Sequence, residues 1–220
     1  MALTTGPIAT PIEYKPANKA RAFFVDILQT VIIALAISVV VYMFIAIPNQ
    51  VEGQSMEPNF KNTELLLTNK VVQWFGDSDI AKALNIDYNY KRGDVVIFDN
   101  KGTDLIKRVI ATPGDRIKIE DDKVFINGQK IDERYIPTTT RTRVPFRSQA
   151  FLSEGEELVV PSGHYFLMGD NRENSKDSRF IEVGFVSRSN LKGRVFFRYW
   201  PVNKFGIIRQ GEFTEQNSNQ

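Results

Sequence analysis

Residues 27–47 carry no charge over 21 positions. At about 1.5 Å of rise per residue, a helix of that length covers roughly the 30 Å hydrocarbon core of a bilayer. The run is longer than the core of a cleavable secretory signal (about 7–15 residues). It ends Ala46-Ile47-Pro48, with no small-x-small site before a cleavable bond. A buried helix of a soluble core is the alternative reading. Gln29, Thr30 and Ser38 are its only clearly polar residues. Lys15, Lys19 and Arg21 precede it, while only Glu52 is charged between its end and Gln54. The positive-inside rule then puts the N-terminus in the cytoplasm and everything after Pro48 outside. The expected organisation is a cytoplasmic leader over residues 1–22, a transmembrane anchor over 23–47, an extracytoplasmic domain over 48–209 and a disordered tail over 210–220.

The part after the anchor holds about 160 residues, enough for one domain with its own core. A net charge of +2, with acids and bases interspersed, gives no nucleic-acid footprint. The chain has no Cys, so neither disulfides nor thiolate metal sites are available to it. Short apolar runs at residues 94–98 and 105–111 flank a turn of Asp, Asn, Lys and Gly and read as a hairpin. Residues 116–120 alternate. Residues 123–126 and 129–132 flank Asn127-Gly128, the strongest short-range hairpin signal. Residues 164–168 and 194–199 read as further strands. Asp77 or Ser78 can cap a short helix through Leu84, and residues 138–150 show neither period. The expected class is mainly β: antiparallel sheets forming a sandwich or a partly open barrel, preceded by one N-terminal transmembrane helix. Trp74 and Trp200 read equally as headgroup contacts or as core.

Ser55 lies only eight positions beyond the apolar run, in the Gly/Pro-flanked turn Val51-Glu52-Gly53-Gln54-Ser55-Met56-Glu57-Pro58. A nucleophilic serine needs a base. The single histidine, His164, sits in a strand–turn context that suits a structural role. The hydrolase elbow Gly-x-Ser-x-Gly fails because position 57 is Glu. A Ser-x-x-Lys match at Ser189 and Lys192 lacks its companion motifs and reads as surface. A lysine base must be desolvated to lose its proton near neutral pH. In residues 105–110 the period of two puts Lys107 on the face of Leu105 and Val109, with Arg108 pointing away. That placement suits a base, and it equally suits an edge-strand lysine that deters aggregation. Residues 169–179 are dense in short polar side chains. They fail the calcium-loop template, since Arg172 and Ser175 occupy positions that need other residues. A solvated loop and a self-bonded loop that orients a catalytic side chain both remain open.

Together these segments resemble the type I signal peptidases, membrane-anchored serine proteases of the Ser/Lys class. The Ser-Met-x-Pro run lies at residues 55–58, Arg-Gly-Asp-Val-Val at 92–96, Lys-Arg-Val-Ile-x-x-Pro-Gly-Asp at 107–115 and Gly-Asp-Asn-Arg-x-Asn-Ser-x-Asp-Ser-Arg at 169–179. Their order and spacing agree over nearly all of residues 23–208. The resemblance implies a nucleophile at Ser55 and a general base at Lys107. It implies that Ser175 bonds the lysine amine and that Asp177 and Arg179 brace the loop. Val51, Met56, Phe60, Leu105 and Ile106 fall where the family lines two shallow substrate pockets. Two positions depart: the family's Thr after Ser-Met-x-Pro is Asn59, and an oxyanion-hole serine of some members is Gly53. The oxyanion is then expected on backbone N–H groups at Ser55 and Gly53, chiefly that of Ser55. By the same resemblance the chain needs no metal or cofactor. It acts at the plasma (inner) membrane on signal-peptide-bearing preproteins and cuts after small residues at −1 and −3. Its partners are those preproteins and the lipid bilayer. Two rivals are a self-processing Ser/Lys protease and a membrane-tethered β module without catalysis.

Overall fold

The computed structural model describes residues 19–44, 46–75, 83, 89–211 and 213–215. The chain divides after Val41 into two compact units. The helix α1 (Lys19–Phe44) accounts for the described part of the first. At 26 residues it is about 39 Å long. None of the described side chains over residues 19–40 is buried, and the helix is long and apolar enough to cross a membrane. Its polar hydroxyls are satisfied within the helix. Thr30 Oγ1 donates to the Asp26 carbonyl and Ser38 Oγ to that of Ala34, each at 2.8 Å. Such back-bonding lets a helix carry hydroxyls through hydrocarbon without an unpaired donor.

The second unit is built from thirteen short strands among the described residues: β1 (Ala46–Gln50), β2 (Leu65–Asn69), β3 (Val95–Asn100), β4 (Thr103–Ala111), β5 (Arg116–Glu120), β6 (Lys123–Ile126), β7 (Gln129–Glu133), β8 (Glu157–Val159), β9 (His164–Met168), β10 (Val186–Ser187), β11 (Leu191–Trp200), β12 (Gly206–Ile207) and β13 (Phe213–Glu215). They form two antiparallel sheets. The larger runs β1-β2-β11-β3-β4-β9-β10, with β12 added to β11; the smaller runs β13-β7-β6-β5-β8. One short helix, α2 (Val71–Phe75), follows β2. The expected β class and antiparallel pairing are what the chain adopts.

Strand β4 is the hub of the core. Leu105 and Val109 pack with Val96, Phe98 and Leu167. Ile106 faces the other way, into a cluster with Val51, Met56 and Phe60. The register against β9 shifts between Val109 and Ala111. Beyond that shift Ile110 and Ala111 both join a third cluster with Ile117, Ile126 and Phe166, which ties the two sheets together. Lys107 lies opposite Val96 on β3 and shares the parity of Leu105 and Val109. At Asn127 (φ 54°) and Gly128 (φ 80°) the chain turns left-handed, which makes the tight β6–β7 hairpin.

Several boundaries differ from expectation. The anchor, expected to run to Ile47, ends as helix at Phe44, and Ala46 and Ile47 begin β1 instead. Pro48 is tolerated there because β1 is an edge strand, where one missing N–H breaks no ladder. The tail expected to be disordered is partly bound: the Gly211 N–H donates to the Gly93 carbonyl at 3.0 Å, and β13 pairs with β7. These contacts are backbone hydrogen bonds, which composition does not reveal. Of the helix expected through Leu84, only Ala83 lies among the described residues, and it is helical. Trp200 is exposed, so it is not core, and the side chain of Trp74 lies outside the described residues.

The third cluster should set the stability of this unit. Phe166→Ala, at a fully buried position, is expected to cost about 3–5 kcal/mol, and Ile207→Ala, at an exposed one, to stay within about 0.5 kcal/mol. Denaturant unfolding of the two variants in detergent measures both; equal losses would mean that the core does not lie where the sheets meet.

Candidate active site

Ser55 is held from both sides by its neighbours. Val51, Met56 and Phe60 are buried in the cluster beneath the turn, while Ser55 itself stays partly exposed. The Phe60 N–H donates to the Met56 carbonyl at 2.9 Å, and Val51 and Thr63 are tied across the base of the loop. Gly53 has φ +85°, a conformation that a residue with a Cβ adopts at a cost. A second loop grips the same turn. The Asn171 N–H donates to the Ser55 carbonyl at 3.0 Å and Asn171 Nδ2 to that of Gln54 at 3.2 Å. Gly169 is needed here, because a Cβ on it would lie 2.2 Å from Ser175 Oγ and 2.4 Å from the Ser55 carbonyl oxygen.

Lys107, only 3% exposed, reaches this turn. Its Nζ is 2.7 Å from Ser55 Oγ and 2.9 Å from the Ile106 carbonyl oxygen. Burial pushes the Lys107 ammonium down to about 8, against the pull of the Asp177 and Asp170 carboxylates and with the help of Arg179. Each carboxylate is paired with an arginine. Arg179 clamps Asp177 through Nε and Nη2 at 2.8 and 2.9 Å, and the Gly169 N–H adds a bond at 3.0 Å. Burial alone would raise the Asp177 carboxyl, but the Arg179 guanidinium, the Gly169 N–H and the Ser175 hydroxyl together outweigh it and hold the group below the usual range. Arg108 clamps Asp170 in the same bidentate way, at 2.8 and 2.6 Å.

A cleft of about 370 Å³ opens where Lys107 meets Ser55, with Gln50, Glu52, Leu105 and Ile106 among its other walls. Of the five residues expected to line substrate pockets, Leu105 and Ile106 do line it. Val51, Met56 and Phe60 are instead buried beneath the turn, since apolar residues flanking an exposed serine serve first as its anchors. Two other expectations meet a different geometry. The Gly53 N–H donates to Asn62 Oδ1 at 2.9 Å and so is not a free oxyanion donor. The Ser55 N–H has no such acceptor among the described residues. Ser175 Oγ is buried against Gly169 and helps to hold the Asp177 carboxyl down, and the lysine amine bonds Ser55 and Ile106 rather than Ser175.

Asn59 gained a role that its sequence position alone did not disclose. Its Nδ2 donates to Asp170 Oδ2 at 2.8 Å and to the Tyr135 carbonyl at 2.7 Å, joining the Ser55 turn to the segment that follows β7. Arg172, bonded to Glu133 and to the Gly169 carbonyl, was also missed. A cation such as Arg108 inside an apolar strand was the available signal, because it demands a buried partner. His164 Nδ1 lies 2.9 Å from the Ser162 carbonyl, outside the residues that line the cleft. Lys192 pairs with Asp104 at the surface, as its sequence context suggested.

The family described as signal peptidase, peptidase S26, matches residues 24–200 of the chain. A signal peptidase I of Bacillus licheniformis is 32% identical over 194 residues, covering 87% of this chain and 96% of that protein. Signal peptidase I U of Bacillus subtilis (strain 168) is 34% identical over 206 residues, covering 93% and 99%. A crystal structure of a signal peptidase I from Enterococcus faecalis V583 shares 27% identity, covering 48% of this chain and 96% of that one, with a TM-score of 0.37.

Lys107 leaves a signature in stability as well. Its pKa is about 8 in the fold against 10.5 for an ordinary lysine, so between those values the unfolded chain binds more protons. Stability should therefore rise with pH across that window. Lys107→Met is expected to be more stable than the parent by about 1–3 kcal/mol at pH 7, with the gain gone by about pH 10.5. Thermal or denaturant unfolding of both proteins against pH measures this; a constant difference across the window would contradict a desolvated lysine.

Proposed function

The chain belongs to the signal peptidase family, peptidase S26, a family of serine endopeptidases that remove signal peptides, and on that premise we propose that Ser55 is its nucleophile and Lys107 its general base. The observation that carries this reading is the 2.7 Å approach of Lys107 Nζ to Ser55 Oγ at a site where burial lowers the lysine's pKa to about 8. At pH 8 and above a large share of the amine is neutral and can accept the serine proton.

The reaction then runs as acyl transfer. Lys107 takes the proton of Ser55, and the alkoxide attacks the carbonyl at the end of the signal peptide. The Ser55 N–H donates to the developing oxyanion. Gly53 is dropped from that role because its N–H is engaged by Asn62. Lys107 returns the proton to the leaving amine as the acyl-enzyme forms, then removes a proton from the water that hydrolyses it. The Arg108–Asp170 and Arg179–Asp177 clamps keep two nearby carboxylates from holding the lysine charged.

The walls of the cleft favour an extended substrate. Strand β4 pairs with β9 only from Arg108 onward, which leaves the edge of residues 103–107 without a strand partner on that side. A substrate strand can add there. Leu105 and Ile106 would then contact its alternating side chains, in keeping with small residues at −1 and −3. Membrane tethering belongs to the same proposal: α1 is long and apolar enough to cross a bilayer, and the Lys15, Lys19 and Arg21 charges orient its start toward the cytoplasm. A shared membrane raises the effective concentration of enzyme and preprotein, so shallow subsites suffice. A non-catalytic module has no use for a buried lysine against a serine hydroxyl.

The test is incubation of the detergent-solubilised chain with a preprotein ending its signal in Ala-x-Ala, with N-terminal sequencing of the product. Ser55→Ala and Lys107→Ala should each lower turnover by about 10³-fold or more, and the double variant should be no worse, because the two act as a unit. Gly169→Ala should lose at least about tenfold by displacing the Ser55 carbonyl. His164→Ala should keep most activity. Turnover above about a tenth of the parent in Lys107→Ala would remove the lysine from the mechanism.

A further inference from the structure

A second cavity, of about 500 Å³, shares no lining residue with the cleft at Ser55. Five cations line it: Arg108, Arg134, Arg198, Lys204 and Arg209. No carboxylate does. Glu64 and Asp170, both buried, offset Arg198 with Lys204 and Arg108 from behind, and Asp132 pairs with Arg134 at the surface. Arg209 is exposed and has no carboxylate partner among the described residues. The hollow is therefore cationic where it opens.

Its surroundings are apolar to a degree that a soluble-anion site does not require. Phe205 and Ile207 line it and are 64% and 77% exposed, and Trp200 and Val202 nearby in the chain are 52% and 69% exposed. Large side chains this exposed in a span of eight residues call for an apolar partner. Cations joined to exposed aromatic and aliphatic side chains match the layered chemistry of a membrane interface, with phosphate level with the cations and glycerol and acyl carbons against the rim. We propose that this cavity binds the phosphate headgroup of an anionic phospholipid. The proposal rests on the membrane-tethering reading, which supplies lipid at high local concentration, and not on the dyad. The same cavity touches the catalytic scaffold from behind. Arg198 Nη2 donates to the Asn59 carbonyl at 2.8 Å and its guanidinium lies 4.9 Å over the Phe60 ring, so an occupied pocket would brace the turn that carries Ser55.

The experiment uses the full chain in neutral detergent micelles doped with brominated phosphatidylglycerol or brominated phosphatidylcholine, with quenching of tryptophan emission as the readout. Neither Trp74 nor Trp200 lies in α1, so the anchor itself contributes no signal. Phosphatidylglycerol should half-quench at about a five- to tenfold lower mole fraction than phosphatidylcholine. In Arg134→Gln/Arg209→Gln, which leaves the buried ion pairs intact, the preference should shrink to about twofold or less. Equal curves for the two lipids in the parent would overturn the proposal by leaving only the apolar rim. Full preference in the double variant would overturn the assignment to this cavity. Glycerol 3-phosphate erasing the preference at the lipid's own concentration would make the ligand soluble and overturn the lipid assignment. No outcome depends on peptidase turnover.

Discussion

An amine held next to a serine hydroxyl and away from water is the constraint on which the rest of this domain depends. Lowering the Lys107 pKa from 10.5 to about 8 disfavours its charged form by about 3 kcal/mol. That energy comes from folding, since an ammonium cannot be desolvated without cost. Strand β4 supplies the setting. It places Lys107 between Leu105 and Val109 on one face and opposite Val96, with the apolar clusters of the larger sheet on either side.

The polar residues around Ser55 and Lys107 follow from the same constraint. A carboxylate left unpaired beside Lys107 would restore its charge. Asp170 and Asp177 are each met by a bidentate arginine, and Arg179 offsets part of their pull on the amine. Removing one partner of such a buried pair is costly, which makes the residue 169–179 loop rigid as well as electrostatically quiet. Rigidity has a second use. The loop holds the Ser55 carbonyl through the Asn171 N–H, and Asn59 returns from the serine turn to Asp170. Ser55, Lys107 and the carboxylates that pull on the lysine are thereby tied into one network.

Alternation and turn chemistry made much of this legible in the chain. The hairpin at Asn127-Gly128, strands β5 and β9, and the parity of Lys107 in β4 follow local rules that hold in the fold. The parts that were not legible rest on partners distant in sequence. Ala46 and Ile47 look like the end of an apolar helix until β2 offers them backbone hydrogen bonds. Residues 213–215 look like a polar tail until β7 pairs with them. Within the site, Ser55 and Lys107 could be singled out from their neighbours and from family resemblance, whereas the Gly53 N–H could not be known to belong to Asn62. Val51, Met56 and Phe60 are apolar residues near Ser55, and sequence cannot distinguish a pocket wall from an anchor beneath it.

The central claim is that Lys107 loses its proton near the pH at which the enzyme works. The direct measurement is an NMR titration of the Lys107 side chain in the full chain, ¹³C- and ¹⁵N-labelled at lysine and assigned by comparison with Lys107→Arg. A midpoint near 8 is expected for that one lysine, because burial outweighs the pull of Asp177 and Asp170. A midpoint near the ordinary 10.5 would mean that the amine stays charged beside Ser55 and cannot serve as its base.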